Sequence, residues 1–268
     1  MIAKEPRPGR VKTRLTPPFT PEEAAELAEA ALCDTLRAVA ATPARRRVLV
    51  LDGTPGPWLP PGFDVVPQCP GGLDARLAAA FAGCDGPALL IGMDTPQVTP
   101  DLLTVDFTTG LPTEPARDLS TGSAIDSNAD LTAGLAADLT AGLTAKSTSA
   151  LTTALTTAPT ADSDARCNGG YDGGYDACFG PAEDGGFWAL GLAEPDPRLL
   201  LGVPMSAPHT GAVQRARLVA AGLRVRDLPR LRDVDTAADA AAVAATAPHG
   251  RFAAALARLG AVGGRTGR

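Results

Sequence analysis

The chain has 268 residues, 45% hydrophobic and 20% charged, which suits one or two globular domains and includes no apolar run long enough for a membrane span. Its net charge of −6 disfavours a protein that coats nucleic acid, because such binding needs a broad basic surface. The 5 cysteines form no CxxC pair and there are only 2 histidines, which disfavours a disulfide scaffold or zinc ribbon and excludes a multi-histidine metal site.

The first half of the chain alternates helices and strands. Thr20 is the predicted N-cap of a helix that extends to about residue 41, with Pro21 at its first position and Glu23 completing a capping box. Apolar runs predict buried strands at residues 47–51 and 88–92, and a shorter strand is predicted at residues 63–66. A helix with one apolar face is predicted at residues 73–82.

Residues 106–174 break this pattern, since they are rich in Thr, Ala, Ser, Gly and Asp. They include a tandem repeat of eight residues, at 130–137 and 138–145, with only two leucines in each copy. So little apolar area cannot offset the entropy of ordering the segment. We expect a disordered or weakly helical insertion; a functional lid is the alternative.

Alternation resumes after the insertion. Strands are predicted at residues 177–179, 187–190 and 223–228, and helices at residues 209–221 and 236–247. The order predicts an α/β fold with a largely parallel sheet covered on both faces, in which ligands bind at the carboxyl ends of the strands. We expect residues 1–105 and 175–250 to form one domain, with residues 251–268 as a C-terminal tail.

The first candidate site is a basic N-terminal segment. Five cations within 11 residues are spaced by prolines and by Gly9, which allows a tight turn. They are Lys4, Arg7, Arg10, Lys12 and Arg14. Such a loop could hold phosphates, or it could be a solvated basic tail.

The other candidate sites are acidic. Asp94 directly follows a buried strand and could hold Mg²⁺ or cap a turn before Pro96. Glu183 and Asp184 precede two glycines and could bind acceptor hydroxyls or a metal, or form a plain hairpin turn. In residues 231–239, one acid is expected to cap the following helix, and another could complete a two-carboxylate metal site with Asp94.

Taken in order, these segments resemble the DUF2064 family, also called rSAM/selenodomain-associated transferase 1. The resemblance rests on AKEPRPGRVKTRL, PQCPGGLDARLAAAF, LLIGMDTPQVTPDLL, FGPAEDGGFWALGL and LRDVDTAAD, which cover nearly the whole chain outside the insertion. That family is similar to CofC-type and MobA-type nucleotidyltransferases. The resemblance implies a GT-A fold, a three-layer sandwich around a mostly parallel central sheet.

The resemblance also implies roles for individual residues. Phosphates and nucleotide would contact Lys4, Gly9, Arg10, Gly72 and Arg76, with Lys12 and Arg14 as catalytic cations. Asp94 and Asp235 would hold Mg²⁺ or Mn²⁺, and Glu183 and Asp184 would contact the acceptor. The partners would be a nucleotide or nucleotide-sugar and a small-molecule acceptor, without nucleic acid or a membrane span.

Two reactions fit this pattern. In nucleotidyl transfer an acceptor attacks the α-phosphate and pyrophosphate leaves; in glycosyl transfer a nucleotide-sugar gives up its sugar. Pro96 occupies the third position of an Asp-x-Asp pair at Asp94, which favours nucleotidyl transfer. A non-catalytic nucleotide-binding module is the remaining alternative.

The sequence departs from the family at two places. Only Met1 and Ile2 precede the Ala-Lys pair, where the family has a longer apolar strand, so we expect apolar residues to be encoded upstream of Met1. The insertion replaces or extends the helix and linker that follow Asp94. No secretory signal is visible, and a cytoplasmic location is expected.

Overall fold

The structure is a computed structural model that describes residues 1–107 and 174–263. Its strands are β1 (Ile2–Lys4), β2 (Val48–Asp52), β3 (Asp64–Pro67), β4 (Ala88–Ile91), β5 (Ala177–Pro181), β6 (Phe187–Leu192) and β7 (Val225–Asp227). Its α-helices are α1 (Pro21–Ala41), α2 (Leu73–Ala82), α3 (Pro100–Leu103), α4 (Thr210–Ala220), α5 (Ala237–Thr246) and α6 (Arg251–Gly263). Short 3₁₀ helices lie at Thr13–Leu15 and Pro197–Leu199.

The chain divides into two units, residues 1–111 with 173–268 and residues 112–172. The predicted insertion lies outside the described residues, apart from residues 106, 107 and 174. Its disorder and its alternative role as a lid therefore stay predictions.

The strands form two hydrogen-bonded groups. β1, β2 and β3 are all parallel, whereas in the order β4-β6-β5-β7 the strand β6 runs antiparallel to both of its neighbours. β7 is parallel to β5. The antiparallel pair follows from the short β5–β6 connection, because a parallel neighbour needs a crossover of a dozen residues or more.

Alternating side chains of β2 pack against helices on opposite faces. Val50 lies in one buried cluster with Leu77 and Phe81 of α2, while Leu49 and Leu51 lie in a second cluster with apolar side chains of α1. The same alternation holds in the second group of strands. The result is the expected three-layer sandwich, with helices covering both faces of the strands.

The helix predicted to begin after Thr20 is confirmed. The Thr20 hydroxyl accepts from the amide of Glu23 at 3.2 Å, and the Glu23 carboxylate accepts from the amide of Thr20 at 2.8 Å. Both bonds satisfy amides that have no partner within the helix. Strong local signals therefore fix where α1 begins.

Residues 251–263 form a helix rather than the expected tail. Phe252, Ala255 and Leu259 of α6 lie in a buried cluster with side chains of α1 and α5. The carboxylate of Asp34, itself buried in α1, accepts from the amides of Arg251 and Phe252 at 3.0 and 2.8 Å. An acid at a helix N-terminus satisfies free amides and complements the helix dipole, so α6 is anchored to the domain.

Candidate active site

One cavity of about 650 Å³ lies where β1 and β4 end, a volume typical of small-molecule sites. Of the site residues predicted from the sequence, eight line it: Lys4, Arg10, Lys12, Arg14, Arg76, Asp94, Asp184 and Asp235. Three others do not line it, namely Gly9, Gly72 and Glu183. The cavity therefore lies at the strand ends, where the sequence predicts that a ligand binds.

The basic segment folds as a loop that is anchored to the domain by buried side chains, and not as a solvated tail. The Arg10 amide donates to the Arg7 carbonyl at 3.1 Å, closing a turn in which Gly9 has φ +73°. Val11 packs against α1, and Leu15 is fully buried. These apolar anchors leave the side chains at positions 10, 12 and 14 on the cavity wall.

Lys12 is the buried cation of the cavity. Its side chain is only 7% exposed, and its ammonium lies 2.6 Å from the Asp94 carboxylate and 3.4 Å from that of Asp235. Burial alone would lower the pKa of Lys12, but attraction to Asp94 and then Asp235 outweighs it, so the pKa is raised. Arg14 reaches the other oxygen of Asp235 at 3.2 Å.

Two residues with strained backbone conformations also line the cavity. Among the described residues, Lys12 and Ser206 are the two non-glycine positions with positive φ, at 49° and 60°. Each costs roughly 1–3 kcal/mol unless its surroundings hold it in place. Both residues line the cavity, and strained backbone of this kind concentrates at functional sites.

Asp233 is a cavity residue that sequence reasoning did not single out. Desolvation, together with repulsion from Asp94 and Asp184, raises the pKa of Asp233 to about 7. The available signal was the alternation around Val234, which is buried and whose amide donates to the Asp94 carbonyl at 3.0 Å. In an extended segment, residues on either side of a buried one share the opposite face, here the cavity side.

The N-cap of α5 is Thr236, and the acid that takes part in capping is Asp239 rather than Asp233 or Asp235. The Thr236 hydroxyl accepts from the amide of Asp239 at 3.3 Å, and the Asp239 carboxylate accepts from the amide of Thr236 at 2.9 Å. Asp233 and Asp235 are therefore free of capping, and both side chains line the cavity.

Arg76 reaches the cavity from α2. Its guanidinium donates to the Gly71 carbonyl at 3.0 Å and to Oε1 of Gln68 at 3.1 Å, and lies 3.5 Å from Asp52. Gly71, with φ +115°, lines the cavity, whereas Gly72 is the N-cap of α2. Gly71 rather than Gly72 therefore lines the cavity, and the nucleotide contact of Gly72 stays a prediction.

Gln68, which the sequence did not single out, connects the end of β3 to β1 and β2. It follows β3, and its side-chain amide donates to the carbonyls of Ala3 and Val50 at 2.7 and 3.3 Å. The side-chain amide of Gln68 therefore donates to β1 and β2, and its side-chain oxygen accepts from the guanidinium of Arg76 in α2. Gln68 lines the cavity and connects the elements around it.

The acidic pair at 183–184 lies in the β5–β6 hairpin, one of the two interpretations left open by the sequence. Asp184 faces the cavity and accepts from the amide of Gly186 at 2.8 Å. Glu183 points elsewhere, because its carboxylate pairs with Arg232 at 2.7 Å. The two acids lie in the turn between β5 and β6, and only Asp184 lines the cavity.

The chemistry of the carboxylates fits a hard cation. Mg²⁺ takes oxygen ligands and often uses one or two carboxylates together with substrate phosphates. Within residues 1–107 and 174–263, no group of three or more Asp, Glu, His or Cys side chains is arranged to hold a metal by itself. The ammonium of Lys12, between Asp94 and Asp235, takes the place of a cation there.

The fold and site define a class: an α/β protein with a polar, strongly charged ligand cavity at the carboxyl ends of its strands. The sequence profile of DUF2064, described as "Uncharacterized protein conserved in bacteria", matches residues 25–116 and 140–207. The chain belongs to this family. No protein of curated function matches it.

A solved structure has the same fold. It is that of a protein from Desulfovibrio desulfuricans G20, provisionally assigned as a nucleotide-diphospho-sugar transferase, and it is 20% identical with a TM-score of 0.64. The alignment covers 98% of this chain and 96% of that one. This likeness agrees with the GT-A fold. No helix among the described residues is long and apolar enough to cross a membrane.

Proposed function

We propose that this protein is a metal-dependent transferase that acts on a nucleotide-activated substrate by nucleotidyl transfer. The observation that carries the proposal is the pairing, in one cavity, of a pinned basic loop with carboxylates at the strand ends, through the contact of Lys12 with Asp94. Cations of this kind bind phosphates, and the carboxylates suit a divalent cation.

The basic side chains divide into two groups by their partners. Lys4 and Arg10 line the cavity and form no ion pair with any described residue, so their charge is available to the phosphates of a nucleotide. Lys12 and Arg14 are held by Asp235. They would stabilise charge that develops on the phosphoryl oxygens, which is the main form of catalysis in phosphoryl chemistry.

Asp94 and Asp235 would hold Mg²⁺ or Mn²⁺, which would supply positive charge to neutralise the diphosphate leaving group. Asp233 adds a third carboxylate to this part of the cavity. A cation on Asp94 would release the ammonium of Lys12 from its closest partner. The lysine would then be free to contact a phosphate.

The transfer itself requires no covalent intermediate. The lone pair of an acceptor oxygen or nitrogen forms a bond to the α-phosphorus, and the bond from that phosphorus to the bridging oxygen breaks. The electron pair leaves with pyrophosphate, and the proton of the acceptor passes to a carboxylate of the cavity. Asp184, which lines the cavity, would orient the acceptor.

Glycosyl transfer from a nucleotide-sugar is the second candidate. It is favoured by the likeness in fold to a protein that is provisionally a nucleotide-diphospho-sugar transferase. The two reactions share the phosphate-binding loop and the metal. They differ in the bond that breaks and therefore in the products.

The test uses water as a slow substitute for the acceptor. Concentrated enzyme with Mg²⁺ is incubated with each nucleoside triphosphate and with nucleotide-sugars, and the products are separated. Nucleoside monophosphate with pyrophosphate supports nucleotidyl transfer; nucleoside diphosphate with free sugar supports glycosyl transfer. Lys12→Met and Asp94→Asn should abolish turnover, whereas Arg198→Ala, which removes an exposed pair with Asp196, should leave it unchanged. Nucleotide binding without any product, equally tight in all three variants, would contradict both reactions.

A further inference from the structure

The cavity that we propose as the transferase site also has an apolar wall, which phosphates do not explain. Leu73 and Leu77 of α2, Phe187 of β6 and Met205 contribute to it. Leu77 is buried, and Phe187 and Met205 pack against the same core cluster. Leu73 is 43% exposed, so an apolar surface is left open to a ligand.

This wall is preformed rather than loose. The ring of Phe187 lies against that of Phe179, with centroids 5.6 Å apart. Met205 belongs to a loop that Thr210 holds, because its hydroxyl donates to the Pro204 carbonyl at 2.7 Å and accepts from the Ala207 amide at 3.0 Å. A rigid apolar surface needs little ordering when a ligand binds, so its burial contributes directly to affinity.

The α4 end of this wall is fixed to the hairpin that carries Asp184. The amide of Gly211 donates to the carbonyl of Gly185 at 2.8 Å. A Cβ atom on Gly185 would lie 1.8 Å from the Pro208 carbonyl oxygen, so the two segments are in direct contact. Apolar wall and carboxylate therefore belong to one continuous surface.

The charge of the cavity constrains which ligand can lie there. Four carboxylates line it: Asp94, Asp184, Asp233 and Asp235. Lys12 and Arg14 pair with Asp94 and Asp235, while Asp184 and Asp233 have no ion pair with any described residue. Beside Asp184 and Asp233 a ligand's own carboxylate or phosphate would be repelled, whereas a hydroxyl or ammonium group would find acceptors; the nucleotide phosphates would instead contact Lys4 and Arg10.

We infer that the acceptor is an alcohol or amine with an apolar body, which packs against Leu73, Phe187 and Met205 and donates a hydrogen bond to Asp184. This inference rests on the proposed transferase function. It names the class of acceptor: neutral or cationic at the reacting end and apolar elsewhere, not a phosphate or a carboxylate.

The test compares ligands that share one tail and differ in charge. Octanol, octylamine and octanoate are titrated into the protein with Mg²⁺, below the concentrations at which they form micelles, with ethanolamine as a ligand that lacks the tail. We expect octanol and octylamine to bind at least tenfold more tightly than octanoate or ethanolamine. Octanoate binding as tightly as octylamine, or no saturable binding of any octyl ligand, would overturn the inference.

Matched leucine variants place the binding site. Leu73→Ser should weaken octylamine binding about fivefold, because it removes apolar area from the wall. Leu201→Ser changes a leucine of similar exposure, 47%, outside the cavity and should have no effect. Equal effects of the two substitutions would contradict the assignment.

A variant that removes the charge of Asp184 and a titration with nucleotide complete the test. Asp184→Asn keeps an oxygen for the Gly186 amide but removes the charge, so it should narrow the difference in affinity between octylamine and octanoate. Nucleoside triphosphate affinity should fall in Lys12→Met and stay unchanged in Leu73→Ser. Loss of nucleotide affinity in Leu73→Ser would assign the apolar wall to the nucleoside. That result would overturn the inference about the acceptor but leave the transferase proposal standing. Failure of any nucleotide to bind would count against the transferase proposal itself.

Discussion

The contact between Lys12 and Asp94 can be measured by a double-mutant cycle with Lys12→Met and Asp94→Asn. Exposed ion pairs contribute about 0.2–1 kcal/mol, and breaking a buried pair costs about 3–5 kcal/mol. This pair lies between the two cases, because Lys12 is 7% exposed and Asp94 is 42% exposed. Asp235 also remains 3.4 Å from the ammonium when Asp94 is neutralised. We expect a coupling energy of about 1–2 kcal/mol.

The two single variants should differ in stability. Asp94→Asn leaves a buried ammonium with one weaker partner, whereas Lys12→Met leaves a carboxylate that water still reaches. Asp94→Asn should therefore be the more destabilising, and adding Lys12→Met to it should recover part of the loss. Urea unfolding of the four proteins, followed by circular dichroism in EDTA, gives the free energies. A coupling energy below about 0.3 kcal/mol would refute the view that this pair organises the site.

The same four proteins also test the metal. If a cation and the ammonium of Lys12 compete for Asp94, Mg²⁺ should raise the melting temperature of Lys12→Met more than that of the wild type. It should have little effect on either protein that carries Asp94→Asn. Equal shifts in all four proteins would place the metal elsewhere.

Three further variants test the framework around the site. Asp34→Ala removes the acceptor for the first amides of α6 and should lower the free energy of unfolding by about 2–4 kcal/mol, measured in urea. Gly185→Ala places a Cβ atom 1.8 Å from a backbone oxygen and should strongly destabilise the protein. The control is Gly202→Ala, where φ is also positive but nothing lies within 4 Å, and it should destabilise the protein far less. Similar melting temperatures of the two variants would contradict the close packing of the hairpin. Hydrogen bonds from Arg224 lower the pKa of Asp176. The stabilisation of the fold by this carboxylate is therefore present above the ordinary carboxyl pKa and is lost as the pH falls through the lowered value. Asp176→Asn should flatten the dependence of the unfolding free energy on pH in that acidic range, and an unchanged dependence would count against the Asp176–Arg224 pair.

The order of helices and strands could be predicted because each element carries its own local signal. The beginning of α1 is encoded by Thr20, Pro21 and Glu23, whose effects depend on neighbouring residues alone. The location of Asp94 at a strand end followed from the buried run before it. Such signals need no knowledge of distant contacts.

Side-chain directions in the irregular segments were harder to predict. The sequence does not distinguish Glu183 from Asp184, because the choice depends on Arg232, 49 positions away. Asp233 was missed because its role depends on the burial of Val234 against the Asp94 backbone. A one-residue difference in an extended segment reverses the direction of a side chain, and long-range packing decides it.

The helix at the end of the described chain was missed although its signal was present. Phe252, Ala255 and Leu259 recur at helical spacing, which predicts one apolar face. That face is buried against α1 and α5, and Asp34 satisfies its first amides. The predicted domain boundary at residue 250 does not take this periodicity into account.

We propose that one cavity holds a divalent cation at Asp94 and nucleotide phosphates along the loop that carries Arg10 and Lys12. The most direct measurement is a crystal structure with Mn²⁺ and a non-hydrolysable nucleoside triphosphate analogue, with data collected to locate manganese by anomalous scattering. We expect a manganese peak within coordination distance of the Asp94 carboxylate, phosphate density against Arg10, and the ammonium of Lys12 moved from Asp94 to a phosphate oxygen. Manganese and phosphates bound outside this cavity, with the Lys12–Asp94 contact unchanged, would contradict this proposal.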